Sequence, residues 1–111
     1  AEALAAFPTG FEHFYAFEGS AAAAREVAQF THPATGRGLK VLTTEPGALF
    51  YTGYFTSDDL QRENGDQYGR YRAFCFEASR FPHGPNLVGV EDAVLRPGET
   101  YSATTIYQLT F

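Results

Sequence analysis

The chain has no tryptophan, no methionine and a single cysteine among its 111 residues. One cysteine cannot close an internal disulfide, so a small secreted scaffold stapled by disulfides is excluded. Flanked by Phe74 and Phe76, Cys75 reads as a buried thiol that fills space as a small hydrophobe. No apolar run approaches the ~20 residues that a membrane-spanning helix needs, and no basic segment leads into an apolar one as in a secretion signal. A membrane partner is therefore not expected, and the cytoplasm is the expected compartment. Basic side chains are scarce as well. Eight Lys and Arg stand against thirteen Asp and Glu, a net charge of -5. That balance repels phosphate backbones and argues against a nucleic-acid partner. Charged residues amount to only 19%, but 44% of the chain is hydrophobic, which excludes wholesale disorder. The length suits one domain. Opening on Ala1 rather than Met, the chain is expected to be processed or a piece of something longer.

The motifs that announce many chemistries are missing too. There is no Gly-rich phosphate loop, no nucleophile elbow and no HExxH. His13, His32 and His83 lie far apart without ligand spacing, so no metal is expected. Each histidine reads as a surface or hydrogen-bonded structural residue.

What is abundant is turn chemistry and aromatic residues. Pro33-Ala34-Thr35-Gly36, Pro46-Gly47, Asn64-Gly65, Gly84-Pro85-Asn86 and Pro97-Gly98 punctuate runs of period-2 patterning. From Tyr101 to Phe111 a mostly apolar register, Tyr101, Ala103, Thr105, Tyr107, Leu109 and Phe111, alternates with a polar one broken by Ile106, predicting a strand with one mostly apolar face. Residues 11–17 place Phe11, His13, Tyr15 and Phe17 on one face and Glu12, Phe14 and Ala16 on the other. Residues 38–44 and 48–55 read as strands around Glu45-Pro46-Gly47, and Val27–Thr31 with Leu39–Thr43 as a hairpin. Residues 70–78 read as a further strand, with Cys75 and Glu77 on one face and Phe74 and Phe76 on the other. Ala21–Glu26 has helical propensity but is short and runs into a β-like stretch, so no helix is assigned. Residues 56–69 are polar and aperiodic, an exposed loop. The fold expected is all-β, an antiparallel β-sandwich or part of one, with no internal domain boundary.

Among single residues Glu77 stands out. If its apolar neighbours desolvate it, its carboxyl would rise toward the range useful to a general base. The alternative is a strand-end carboxylate in water or paired with Arg80 or Arg72. Glu12, set between aromatic residues, carries the same ambiguity. Tyr51, Tyr54 and Tyr68 could stack on a sugar ring or simply pack.

Four segments together carry a family resemblance. Gly10-Phe11-Glu12-His13 resembles the G-[YF]-D-H element of the aldose 1-epimerase (galactose mutarotase) family. Leu42-Thr43-Thr44-Glu45-Pro46-Gly47-Ala48-Leu49-Phe50-Tyr51-Thr52-Gly53 is similar to its T-x-x-P-G-x-Q-F-Y-T-G-N element. The run from Phe74 to Asn86, reading FCFEASRFPHGPN, resembles F-C-L-E-x-Q-x-[FW]-P-D-x-x-N. Leu95-Arg96-Pro97-Gly98-Glu99-Thr100-Tyr101, followed by Thr104-Thr105-Ile106-Tyr107, is similar to L-R-P-G-E-x-Y-x-x-T-T-x-Y. The four occur in family order over nearly the whole chain.

The resemblance implies cofactor-free interconversion of the α and β anomers of free hexoses. In the family a glutamate takes the proton from the C1 hydroxyl while a histidine protonates the ring oxygen; the ring opens, C1 rotates, and the roles reverse on closure. That glutamate falls on Glu77, and the sugar-binding aspartate falls on Glu12. Leu49 stands where the family has a sugar-binding glutamine, which removes an acceptor and two donors. Tyr54 replaces an Asn and His83 an Asp. These departures point to a subgroup with its own sugar preference.

By the same resemblance, residues 1–111 form a C-terminal segment of a mutarotase-like sandwich, about the last third of the family. The family's catalytic histidine and substrate-binding arginine lie upstream of it. None of the three histidines here falls in the motif of the catalytic one, so no general acid is carried over. Strand edges bared by such a division favour self-association or pairing with the upstream part. Three readings follow: part of a mutarotase-like enzyme, a non-catalytic carbohydrate-binding module, or an interaction domain that retains a family signature.

Overall fold

Six strands form from the period-2 runs in the computed structural model, which describes residues 6–90 and 93–111; Ala1 lies outside them. They are β1 (Glu12–Ala16), β2 (Arg25–Thr31), β3 (Gly38–Thr43), β4 (Gly47–Tyr51), β5 (Cys75–Ser79) and β6 (Thr105–Thr110). Two three-stranded sheets result, ordered β1-β4-β5 and β2-β3-β6. Among the described residues the only helical element is one 3₁₀ turn at Gly84–Asn86. The all-β, antiparallel class read from the sequence is what the chain adopts. The described residues divide into two compact units, one formed by the chain up to Tyr15 with Leu49–Glu77, the other by Ala16–Ala48 with Ala78–Phe111.

The β2–β3 hairpin follows from its turn. His32 N donates to Arg37 O at 2.8 Å, and Thr35 N and Gly36 N both donate to His32 O, the second with Gly36 at φ +70°. Antiparallel pairing runs from Thr31↔Gly38 to Arg25↔Thr43, with an irregularity between Glu26 and Ala28. β3 is the central strand of this sheet, and its Val41 and Thr43 are fully buried. β6 pairs with the other side of β3, Val41↔Tyr107 and Thr43↔Thr105, and is exposed along its whole length.

Three expectations are corrected. The last strand starts at Thr105 rather than Tyr101, because the Tyr101 hydroxyl is drawn to the Glu45 carboxylate and the chain joins the ladder only afterwards. The strand expected over residues 70–78 starts at Cys75, because Tyr71 takes a left-handed φ of 58° that interrupts extended backbone. Cys75 is exposed, not buried. Alternation puts Phe76 and Ala78 on the half-buried side of β5 and leaves Cys75, Glu77 and Ser79 on the open one.

The segment 21–24 is not helical, and residues 56–69 form an exposed loop, as read from the sequence. The loop is pinned at its base: Thr56 Oγ1 lies 2.7 Å from the carbonyl oxygens of both Gly53 and Gly69. Farther out it narrows to a single bridge, Gln61↔Gln67, around the Asn64-Gly65 turn.

Candidate functional site

Glycines set up the first sheet. Gly10 has φ +70°, and a Cβ there would lie 2.4 Å from Thr52 Oγ1 and 2.7 Å from the Tyr71 ring, so only glycine fits. The tight approach lets Phe11 N donate to Thr52 Oγ1 at 2.9 Å while Thr52 N donates to Phe11 O at 3.0 Å. Beyond the other end of the pair, Phe17 N donates to Pro46 O at 2.7 Å. These bonds bracket β1 and β4 as antiparallel neighbours, five residues against five, so Glu12 lies opposite Tyr51 and Phe14 opposite Leu49.

The faces follow from that pairing. Phe11, His13 and Phe50 share one side, with ring centroids 5.6 Å apart for Phe11–His13 and 5.9 Å for Phe11–Phe50. Phe74 joins them, 5.8 Å from Phe50. Glu12, Leu49 and Tyr51 therefore occupy the opposite side. Because Phe74 sits directly before β5, alternation places Cys75 and Glu77 on that opposite side as well. The three residues singled out in the sequence thus lie on one face of one sheet: Glu12 on an outer strand, Leu49 at the middle of the central strand, Glu77 on the other outer strand.

Glu12 and Glu77 are exposed, and neither carboxylate has a side-chain partner among the described residues. The pairing of Glu77 with Arg72 or Arg80 does not form. Nor is Glu77 desolvated by its apolar sequence neighbours, because Phe76 and Ala78 point to the other face. Leu49 is half-buried between the two carboxylate-bearing strands. His13, the histidine of this unit, lies on the aromatic side and faces away from Glu77.

The tyrosines separate into different roles. Arg70 stands over the Tyr54 ring at 4.8 Å and Arg62 over Tyr68 at 5.1 Å, so one face of each ring is taken. Tyr51 lies on the candidate face beside Glu12, its hydroxyl accepting Phe55 N–H at 2.7 Å. Its position on that face was available from the sequence as Leu49 plus two.

A polar cluster in the second unit escaped the sequence reading. Glu45 is 4% exposed, yet it accepts a hydrogen bond from the Tyr101 hydroxyl. Glu45 N donates to Thr43 Oγ1 at 3.1 Å, and that hydroxyl lies 2.9 Å from Thr105 Oγ1. The bond to the Glu45 carboxylate, then burial, holds the Tyr101 hydroxyl protonated above its ordinary range, with Arg80 opposing. Beside it Arg80, Val94, Arg96, Glu99 and Tyr101 line an open cleft of about 840 Å³, which includes part of the Leu95–Tyr101 element and none of Glu12, Leu49 and Glu77.

Among the described residues no three His, Cys, Asp or Glu side chains gather as metal ligands would, and no helix is long and apolar enough to cross a membrane.

Comparison with known proteins bears on the same segments. The sequence profile of the aldose 1-epimerase family matches residues 2–108. Galactose mutarotase of Homo sapiens is 38% identical over 99 residues, covering 89% of this chain and 29% of that protein. Galactose mutarotase of Mus musculus is 37% identical over the same shares of each chain. Aldose 1-epimerase of Escherichia coli is 38% identical over 72 residues, 63% of this chain and 20% of that protein. The chain spans 29% of the length of the two mammalian relatives.

Proposed function

The chain belongs to the aldose 1-epimerase family, and we propose that it serves the interconversion of α and β anomers of free hexoses by acid–base ring opening. In this reading it is the C-terminal segment of a mutarotase-like sandwich and supplies one wall of the sugar site. Glu77 is the general base that takes the C1 hydroxyl proton and returns it on closure. Glu12 accepts hydrogen bonds from sugar hydroxyls, and Leu49 contacts the sugar between them. No cofactor takes part, and the setting is cytoplasmic.

The observation that carries the reading is the shared face. Three residues separated by 37 and 28 positions in sequence, two of them carboxylates without side-chain partners, are brought to one side of a single sheet. Unpaired carboxylates are good acceptors for hydroxyl donors, and two of them across an apolar centre suit a ring with polar edges and C–H faces. A base of this kind contributes roughly 10²–10⁴-fold to a proton-transfer step.

One observation favours a second reading, a carbohydrate-binding module without turnover. His13 faces away from Glu77, so the unit holds no imidazole on the face where a general acid would act. Galactose anomer exchange, followed by magnetisation-transfer NMR beside a binding titration, separates the two. Exchange above the buffer rate supports the enzyme reading; saturable binding at the buffer rate replaces it with the module.

A further inference from the structure

Leu49 is the middle residue of the central strand, half-buried, on the face that carries Glu12 to one side and Glu77 to the other. A ligand held by both carboxylates must cross that strand, and because Glu12 lies opposite Tyr51 it passes over the Leu49–Tyr51 stretch of the face. The Leu49 side chain has neither donor nor acceptor. The Tyr51 hydroxyl, the polar group next along the same strand face, accepts the Phe55 N–H at 2.7 Å and keeps its own proton to donate on the Glu12 side. Cys75 on β5 adds only a thiol, a weak donor. The central strand is thus apolar at Leu49, with the Tyr51 hydroxyl beside it, and the two flanks are anionic.

This arrangement discriminates among sugars. A hydroxyl pressed against Leu49 gives up its hydrogen bonds to water and finds no replacement. A methylene or methyl at the same place makes favourable apolar contact and leaves nothing unpaired. Resting on the reading of Glu12 and Glu77 as the two ends of a sugar site, we propose that Leu49 is its specificity-determining residue: the face selects deoxyhexoses, with the deoxygenated carbon over Leu49, in preference to fully hydroxylated hexoses. An apolar site rejects an added hydroxyl by at most about 10²-fold, so the preference expected is between roughly tenfold and that limit.

The test is a binding titration of the chain, followed by amide chemical shifts, with galactose and its 2-deoxy, 3-deoxy and 6-deoxy congeners. Leu49→Gln and Leu49→Met are titrated beside it, each checked for folding by its melting curve. At least one deoxy congener is expected to bind the native chain about tenfold or more tighter than galactose. Leu49→Met keeps that ranking, and Leu49→Gln, which restores a donor and an acceptor, brings galactose level with the deoxy congener or ahead of it. Galactose binding as tightly as all three congeners overturns the proposal, as does an unchanged ranking in folded Leu49→Gln. If Leu49→Gln does not fold, the native ranking decides alone. Failure of all four sugars to bind overturns the proposed function itself, and the specificity assignment with it.

Discussion

The Tyr101 hydroxyl donates to the Glu45 carboxylate, a bond between residues 56 apart in sequence that ties the Glu45-Pro46-Gly47 turn to the approach of β6. Glu45 is buried, so removing its donor leaves an acceptor short of partners at a cost of about 1–3 kcal/mol. Tyr101→Phe is expected to lower Tm by roughly 4–12 °C, a loss read directly from thermal unfolding by circular dichroism.

The same bond makes stability pH-dependent at the alkaline end. Hydrogen bonding to the Glu45 carboxylate raises Tyr101 above its ordinary value of 10.0. Between 10.0 and the higher folded value, the folded chain holds a proton that the unfolded chain has released. The contribution is therefore complete below the ordinary value and falls away as pH rises through the folded one. Urea unfolding across this window should show native stability dropping more steeply with pH than that of Tyr101→Phe. Parallel slopes would contradict the assignment.

Gly53 and Gly65 both have positive φ, but their surroundings differ. A Cβ at Gly53 would sit 2.9 Å from the Ala73 carbonyl oxygen, whereas at Gly65 nothing lies within 4 Å. Gly65→Ala should cost only the left-handed backbone penalty of about 1–2 kcal/mol. Gly53→Ala should cost that and the displacement of a backbone carbonyl besides. Denaturant midpoints of the two variants, compared with the native chain, check the order.

Exposure of Cys75 predicts a reactive thiol. A disulfide reagent such as dithionitrobenzoate should label the native chain at one equivalent, at a rate close to that in denaturant. Labelling only after denaturation would return Cys75 to the core.

Much of this was legible in the sequence, and what was not has physical causes. The Pro33–Gly36 turn announced the β2–β3 hairpin because its backbone demands leave few alternatives. Period-2 patterning put Glu12 opposite in face to Phe11 and His13, and Glu77 opposite to Phe76, as the ring contacts and burial pattern bear out. Alternation states which residues share a face, however, and not which face is covered; for that reason Cys75 reads as buried from the sequence, and the choice between a desolvated and a solvent-facing Glu77 stays open until the structure shows it exposed. The start of β5 depends on Tyr71, whose left-handed backbone is accompanied by a hydrogen bond from Tyr71 N to Gly53 O at 3.1 Å. Such a tertiary contact has no local signature. The Glu45–Tyr101 bond is likewise non-periodic, and a buried glutamate in a Pro-Gly turn looks like any exposed one until its partner is seen.

In the proposed function the Glu77 carboxylate moves the C1 hydroxyl proton of a bound hexose. Galactose anomer exchange measured on the native chain and on Glu77→Gln tests it most directly, because the substitution keeps the shape and removes the base. Exchange above the buffer rate is expected in the native chain, falling by about 10²-fold or to the buffer rate in Glu77→Gln. Exchange equally fast in both chains would contradict it.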